Sequence, residues 1–408
     1  MRTPVALVAG LHRAARAAAV DRLLRRHPGA VAIHHHVRPG GEALVERVVR
    51  DVSGVLGRTS VRPAHGRPGH AAHDDHAAHD RAGHAAHAAR DDRDDRDDRV
   101  TRAVRDDLLP ELLRRSPAAS LLVVELWDAV EPRAVAEAVA APEAAGRLRL
   151  ACVHTALHAG HLPVDICRGD RLCETGRAIP GDRRFLAEVL ARQIEYATSL
   201  SLHGGDPEDA ELAAAVLAHL APHTPIVPRP RLAGGALCVR ELAERVDPGT
   251  AQLPADAQTG EVTTVVWHRL RPLHPVRLFA AMDELAASTV RSRGRFWLAN
   301  RPHRMLAWEA AAGEVSVSDA GPWLAALPGA AWELARPARR AAAALDWNPI
   351  IGDRVQHLVF TGPGLDRGRI VSLLDSCLIG PDDILPGSAE WAGRHDPFAP
   401  VLDLKERA

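Results

Sequence analysis

The stretch that decides the fold is VALVAGLHRAARAAAVDRLL, residues 5–24. An apolar run ends at Gly10, and the residues that follow predict a helix over Arg13–Arg26. A strand, a glycine and a helix in this order mark the place where many nucleotide-binding proteins carry a phosphate loop of the form G-x-x-x-x-G-K-[ST]. The motif specifies two glycines, a lysine and a serine or threonine. At these four positions this chain has Gly10, Ala15, Arg16 and Ala17. Taken alone, the stretch is therefore best interpreted as an ordinary strand, turn and helix.

The rest of the N-terminal half alternates apolar runs with amphipathic segments. Strands are predicted at GAVAIHHHV, ASLLVVEL, RLRLACVHT and TSLSLH, and helices at RAVRDDLLPELLRRS, EPRAVAEAVAA, RRFLAEVLARQIEYA and DPEDAELAAAVLAHLAP. Such alternation indicates a mostly parallel sheet covered by helices on both faces. The predicted fold class is accordingly α/β, with a first domain over residues 1–227.

The pattern changes in the C-terminal half. Residues 228–260 are rich in Pro, Gly, Ala and Asp, and we interpret them as a linker. Strands at EVTTVVWHRL, GRFWLAN, RMLAWEA, EVSVSD and QHLVFTG, with helices at HPVRLFAAMDELAAST and DRGRIVSLLDSCLI, predict a smaller α+β domain over 261–380. The tail, 381–408, is expected to be loose.

Composition limits the classes of function. The net charge of −1 over 408 residues argues against a nucleic-acid or membrane role carried by bulk charge, and we find no direct nucleic-acid motif. The five cysteines are scattered and form no C-x-x-C pair, which favours a reducing, cytoplasmic location. No apolar run is long enough for a membrane span, and the start lacks a signal-peptide pattern. Lys405 is the only lysine, so arginine stands in most places where a base is wanted.

A low-complexity segment at residues 67–99 combines regularly spaced histidines with Asp-Asp-Arg repeats. It has almost no large apolar side chain and is predicted to be a disordered insert. Imidazole suits zinc, copper and nickel, and neighbouring carboxylates could add oxygen ligands. The candidate metal ligands are His70, His73, His76, His79, His84 and His87. The alternative is a solvated repeat without a function.

Three blocks in the C-terminal half carry a family resemblance. RPLHPVRL (271–278), RSRGRFWLANRP (291–302) and GDRVQHLVFTGPGLDRGRIVSLLDSCLI (352–379) resemble the C-terminal domain of CobW-type proteins, in that family's order and spacing. These are P-loop GTPases tied to zinc and cobalt homeostasis, some of them proposed metallochaperones. The resemblance implies a P-loop NTPase-like first domain followed by a CobW C-terminal domain.

The resemblance also assigns site positions in the first half. The phosphate-loop positions are Gly10, Ala15, Arg16 and Ala17, and Arg99 and Arg102 stand where the family has its cysteine motif. Without a lysine or a hydroxyl, phosphate and Mg²⁺ lose protein ligands. Two further positions remain open between roles: Glu125 is either the catalytic-face carboxylate or a buried partner of an arginine, and Asp206 is either the base-reading aspartate or a helix N-cap. His34–His36, at the end of a strand, are either metal ligands or plain polar residues.

The resemblance thus implies GTP, weakly bound or lost, and zinc as ligands. The first hypothesis is a metallochaperone-like protein of metal homeostasis with weakened or lost GTP hydrolysis. The alternative is a non-enzymatic protein that recruits a partner or buffers metal. The expected partners are a metal ion, an unknown client protein bound through the C-terminal domain and, as in some branches of the family, a ribosome-associated factor in zinc starvation.

Overall fold

The computed structural model describes residues 2–38, 44–61, 104, 106–250 and 253–402. The first half forms a seven-stranded sheet, and the second half forms a separate six-stranded sheet. The His-rich segment and its six candidate ligands, together with Arg99 and Arg102, lie outside the described residues.

The first sheet contains seven strands: β1 (Thr3–Ala9), β2 (Ala30–Arg38), β3 (Leu44–Arg50), β4 (Val55–Val61), β5 (Leu121–Glu125), β6 (Leu148–His158) and β7 (Ser199–His203). Their order is β4-β3-β2-β5-β1-β6-β7. Strands β2, β5, β1, β6 and β7 are parallel to one another. At the edge of the sheet, β3 pairs antiparallel with β2, and β4 pairs antiparallel with β3. The predicted mostly parallel sheet is confirmed.

Helices cover this sheet on both faces. They are α1 (Arg13–Arg26), α2 (106–115), α3 (Pro132–Ala140), α4 (Pro142–Ala145), α5 (Leu162–Asp165), α6 (Leu186–Glu195) and α7 (Pro207–Leu220). Small and aliphatic residues of α1, among them Ala15, Ala19 and Leu23, pack on one face against β1 and β6. A larger core on the other face includes residues of α3, α6 and α7.

The second sheet is antiparallel, in the order β12-β11-β10-β13-β9-β8. Its strands are β8 (Ala257–Thr259), β9 (Val262–Arg269), β10 (Arg291–Phe296), β11 (Arg304–Ala311), β12 (Glu314–Pro322) and β13 (Gln356–Pro363). Helices α9 (Pro275–Ala287) and α12 (Arg367–Ser376) pack on one face over Trp267, Trp308 and Phe360, which are fully buried. The predicted α+β character of this half is confirmed.

The opposite face of the second sheet is polar and still buried. Because side chains alternate along a strand, Arg291, Arg293 and Arg295 of β10 share the face away from α9. Each is at most 6% exposed. Arg291 contacts Glu195 at the end of α6, and His219 of α7 bonds Thr264 of β9 at 2.8 Å, so this face joins the two halves of the chain.

Two sequence expectations need correction. The segment 228–260 contains a helix, α8 (Val239–Val246), and the strand β8, and backbone bonds from Ala233 and Leu237 to β6 fix its start. In the expected loose tail, Phe398 and Leu402 are buried in the second core, and α13 (Ala399–Leu402) forms there. Local composition missed both because the stabilising contacts come from distant strands and helices. The exact domain boundaries stay a prediction.

Sequence reasoning also left out α10 (Gly329–Leu334) and α11 (Pro337–Asp346), which lie between β12 and β13. In the part of the chain that the structure describes, none of the helices is both long and apolar enough to cross a membrane.

Candidate functional site: the turn after the first strand

The candidate site lies at the carboxyl ends of the central strands. β1 is flanked by β5 and β6, and Val8 pairs with Glu125 in the register of β1 and β5. The carboxyl ends of adjacent parallel strands form the usual ligand crevice of an α/β sheet. The turn that follows β1 therefore lies where a ligand of this fold would be bound.

The turn itself is short and tightly packed. Gly10 has a φ of +127°, and a Cβ there would lie 2.1 Å from the carbonyl oxygen of Ala156, so only glycine fits. Helix α1 begins at Arg13, and the N–H of Arg16 donates to the carbonyl of His12 at 3.0 Å. A phosphate loop needs backbone N–H groups turned towards the phosphates. Here residues 13–15, which would belong to such a loop, are wound into the helix.

Arg16 occupies the position of the phosphate-loop lysine but points into the protein. Its side chain is 1% exposed, and its Nη2 lies 2.6 Å from Oδ1 of Asp128. Nη1 donates to the carbonyl oxygen of Gly10, and Nε lies 4.0 Å from Oε1 of Glu125. The guanidinium is thus held by groups of the chain itself, and its charge is balanced within the protein.

A second arginine also contacts the residues around the turn after β1. Arg177 lies 3.7 Å from Oδ2 of Asp128 and donates to the carbonyl oxygen of Leu11. Leu11 and Leu126 are both buried, and the N–H of Leu126 bonds the carbonyl of Val8 at 2.9 Å. The segment after β5 is therefore fixed against the turn after β1.

Glu125 is a buried partner of arginines. It is 7% exposed, and its two carboxylate oxygens lie 4.0 Å from Arg16 and 3.9 Å from Arg50. This geometry favours the structural alternative over a catalytic role. Asp206 is the N-cap of α7: its carboxylate accepts the N–H of Asp209 at 2.8 Å, and Asp209 returns a bond to the N–H of Asp206. That reciprocal capping box fits the N-cap alternative.

His12 is a site residue that sequence reasoning missed. Its Nδ1 accepts the backbone N–H of His158 at 2.9 Å, so the proton must be on Nε2, which donates to Asp165 at 3.1 Å. Burial lowers the pKa of His12, which keeps the ring neutral at pH 7. The repeated histidines of HTALHAGHLP, residues 154–163, are the sequence signal that could have indicated a polar cluster beside this turn.

The histidines near this turn do not form a metal centre. Among residues 2–38, 44–61, 106–250 and 253–402, no three His, Cys, Asp or Glu side chains are arranged to hold a metal ion. Both nitrogens of His12 have partners, His34 contacts the carbonyl of Glu125 at 3.1 Å, and His35 contacts Asp107 at 2.7 Å. The plain polar interpretation of the strand-end histidines is the one that these contacts favour.

The architecture and the turn together define the class: an α/β domain with a mostly parallel sheet and an inward-pointing arginine after its central strand, followed by a smaller α+β domain. Residues 262–378 match the family described as the cobalamin synthesis protein cobW C-terminal domain. The resemblance to CobW-type proteins is confirmed, and residues 262–378 form a domain of the CobW C-terminal type.

Two relatives of this chain have names that state a function. The chain is 38% identical over 224 residues to a zinc chaperone of Mycobacterium tuberculosis, covering 53% of this chain and 55% of that protein. It is 23% identical over 337 residues to a zinc-regulated GTPase metalloprotein activator of Dictyostelium discoideum, covering 74% of this chain and 69% of the relative. The chain therefore spans about half the length of the mycobacterial relatives that it matches.

Among solved structures, the Zn(II)-bound YjiA GTPase from E. coli is 14% identical, with a TM-score of 0.35. The match covers 93% of this chain and 100% of that one. A triple mutant of the YjiA GTPase with bound Zn(II), also 14% identical, gives a TM-score of 0.36.

The residues at the turn do not fit a bound nucleoside triphosphate. The buried cation at position 16 is already paired, Ala17 has no hydroxyl for Mg²⁺, and the loop residues are helical. Nor do the described side chains include three His, Cys, Asp or Glu residues arranged to hold a zinc ion.

Proposed function

We propose that this chain is a metal-homeostasis protein, most plausibly for zinc, that works with weakened or lost GTP hydrolysis. The observation that carries the proposal is the buried ion pair of Arg16 with Asp128, which fills the position of the phosphate-binding lysine from within. Phosphoryl transfer depends on positioning and on neutralising phosphate charge. A site whose cation at the lysine position is already paired within the chain has less of both.

The metal side of the proposal is supported by the names of the relatives, a zinc chaperone and a zinc-regulated activator. GTP binding that is weak or lost, a metallochaperone-like role and a client protein bound through the C-terminal domain are parts of the same proposal. The five cysteines are all unpaired, which fits a reducing, cytoplasmic setting. The closed turn favours the non-enzymatic version, in which the scaffold recruits a partner, such as a ribosome-associated factor, or buffers metal.

The test is a titration of the full chain with a fluorescent GTP analogue and Mg²⁺, with and without zinc. We expect no saturable binding below about 1 mM. The comparison variant combines Ala15→Gly, Arg16→Lys and Ala17→Thr. These substitutions restore the residue types of the phosphate-loop motif at the turn. Micromolar binding by the unaltered chain, lost on Ala15→Asp and accompanied by steady phosphate release, would overturn the proposal.

Metal capture by the His-rich segment is tested separately. The bound zinc per chain is measured for the full protein and for a deletion of residues 67–98. We expect the full chain to bind more zinc, because the imidazoles in this segment are its densest set of metal-binding groups. Equal stoichiometry would remove the segment from the proposal.

A further inference from the structure

A group of exposed arginines lies on the outer side of helix α1, at the end of the helix away from the turn after β1. Arg22, Arg25 and Arg26 are all exposed on the C-terminal half of this helix. Residues three and four positions apart are neighbours on a helix surface, so these side chains leave the protein side by side. Leu23 and Leu24, between them in the chain, are buried and hold the helix against the sheet.

A second segment brings two more arginines beside this helix. Nη1 of Arg22 donates to the carbonyl oxygen of Pro228 at 2.7 Å, so this segment lies against α1. The N–H of Ala233 donates to the carbonyl oxygen of Ala151 on β6 at 2.8 Å, which fixes the other end of the segment. We call the five exposed arginines of the helix and the segment the basic patch: Arg22, Arg25, Arg26, Arg229 and Arg231.

The charges of the basic patch are not balanced within the part of the chain that the structure describes. None of the five side chains forms an ion pair with a described carboxylate, and neither 22–31 nor 221–236 contains an aspartate or a glutamate. Asp21, the carboxylate next to the patch on α1, lies 2.5 Å from Arg50. The whole chain has a net charge of −1, so the basic patch is a local concentration of charge and not the result of a basic composition.

The helix dipole accounts for only part of the basic patch. Arg25 and Arg26 are in the last turn of α1, where cations stabilise a helix. Arg22 lies one turn earlier, and Arg229 and Arg231 belong to no helix. The addition of these three cations raises the repulsion between like charges, which an anionic partner would relieve.

The surroundings of the basic patch favour phosphate groups over the surface of another protein. Protein interfaces have an apolar core, whereas Ile226 is the one large apolar side chain exposed within 22–31 and 221–236. These two segments contain no Phe, Tyr or Trp on which a base could stack. The planar guanidinium group of arginine bonds phosphate oxygens in pairs. A row of such groups, without apolar or aromatic neighbours, matches a chain of phosphates and carries no means of reading bases.

From this combination we propose that the basic patch binds a nucleic-acid duplex through its phosphate backbone, independently of base sequence. The five arginines each neutralise one phosphate. RNA and DNA duplexes present the same phosphate chemistry, and the experiment below separates them. This surface is independent of the turn after β1 and of the proposed metal role.

The experiment measures the binding of the full chain to short labelled duplexes of RNA and of DNA by fluorescence anisotropy over a range of salt concentrations. We expect a Kd of about 1–100 µM near physiological salt. The logarithm of the binding constant should fall with the logarithm of the salt concentration with a slope between about −4 and −5, since each neutralised phosphate contributes about −0.9. Tighter binding of one duplex identifies the source of the phosphates, and either result supports the proposal.

Two double variants locate the binding on this surface. Arg25→Ala with Arg229→Ala removes one cation from each segment, and we expect at least about tenfold weaker binding and a salt slope smaller by about 2. Arg336→Ala with Arg394→Ala removes the same charge from exposed positions in the second half of the chain and should change neither quantity. Thermal unfolding verifies that both variants remain folded.

Three results overturn the proposal. The first is a Kd above about 1 mM for both duplexes at low salt. The second is an equal effect of the two double variants on affinity and on salt slope. The third is tighter binding of polyglutamate, or of phosphatidylglycerol vesicles, than of either duplex, because the partner would then be an acidic protein or a membrane surface.

Discussion

Arg16, beneath the first turn, and Arg293, in the second sheet, are both almost fully buried, but their guanidinium groups have different surroundings. Arg16 contacts a carboxylate at 2.6 Å, a second at 4.0 Å and a backbone carbonyl. Arg293 shares the carboxylate of Glu195 with Arg291, and its Nη1 lies 3.2 Å from Oε2 of that carboxylate.

Each arginine has one buried guanidinium nitrogen without a hydrogen-bond partner among the described residues, Nε in Arg16 and Nη1 in Arg293, and each of these atoms lies within 4.0 Å of a carboxylate oxygen. Both positions fall in stretches that carry the family resemblance, the turn after β1 and the block 291–302. The difference lies in what the ion pairs join: Arg16 fixes the turn within the first sheet, whereas Arg293 helps to hold the second sheet against α6.

The largest effect is expected for Arg16→Met, which tests whether the ion pair of Arg16 stabilises the turn. The change leaves the buried Glu125 and the partly buried Asp128 with fewer opposite charges, and we expect the free energy of unfolding to fall by about 3–5 kcal/mol. Urea unfolding measures it. Arg13→Met, at an exposed position of the same helix turn, is the control and should cost less than about 0.5 kcal/mol. A loss below about 1 kcal/mol for Arg16→Met would mean that the ion pair does not hold the turn closed.

The interface arginines are tested by Glu195→Gln. The side chain keeps its shape but loses the charge that Arg291 and Arg293 share, so we expect a loss of about 2–4 kcal/mol in unfolding free energy. Glu188→Gln, in a half-exposed pair with Arg192, is the matched control and should cost less than about 1 kcal/mol. If the two changes lower the unfolding free energy equally, the buried pair at the interface stabilises the protein no more than the partly exposed pair does.

Arg295, the third arginine of β10, gives a pH-dependent test through Asp346. Burial alone would raise the pKa of Asp346, but the hydrogen bond from His268 and the charge of Arg295 outweigh it and lower the pKa from 3.8 to about 2. At about 1.4 kcal/mol per pKa unit, ionised Asp346 stabilises the fold by about 2 kcal/mol.

A carboxylate with a depressed folded-state pKa contributes this stability above pH 4 and loses it as the pH falls towards 2. Asp346→Asn imitates the protonated form. The difference in unfolding free energy between the two chains should be greatest at neutral pH and disappear near pH 2. A difference that stays constant across this range would rule out the ionisation as its source.

The smallest expected effect separates the two interpretations of Asp206. As an N-cap, Asp206→Ala should cost about 1 kcal/mol, and Asp206→Asn almost nothing, because asparagine caps helices equally well. Thermal unfolding measures both. If asparagine proves as harmful as alanine, the carboxylate charge has a role beyond capping.

The sequence predicted the layers of the fold well, because they depend on local apolar patterns. The runs PVALVA and ASLLVVEL became β1 and β5, and the helix expected at Arg13–Arg26 has those bounds. The residue types at positions 15 and 17 predict a weakened phosphate site, because Ala15 and Ala17 replace the motif's glycine and hydroxyl, and this stays a prediction.

The direction of Arg16 could not be predicted, because Asp128 and Glu125 are brought to it by a strand more than 100 residues away in the chain. The three arginines of β10 alternate as solvent-facing residues would, and they are buried only because α6 and α11 supply carboxylates. The helix within 228–260 and the ordered tail depend in the same way on contacts that composition does not record.

The inward fold of Arg16 has a consequence for how this protein could change over time. A lysine at position 16 alone would lack the planar fork that bonds Asp128 and the Gly10 carbonyl together, while Ala17 would still offer Mg²⁺ no oxygen. Each single step back towards a phosphate-binding loop therefore weakens the protein before it gains a ligand. A phosphate-binding loop at this turn would therefore require several substitutions together rather than one at a time.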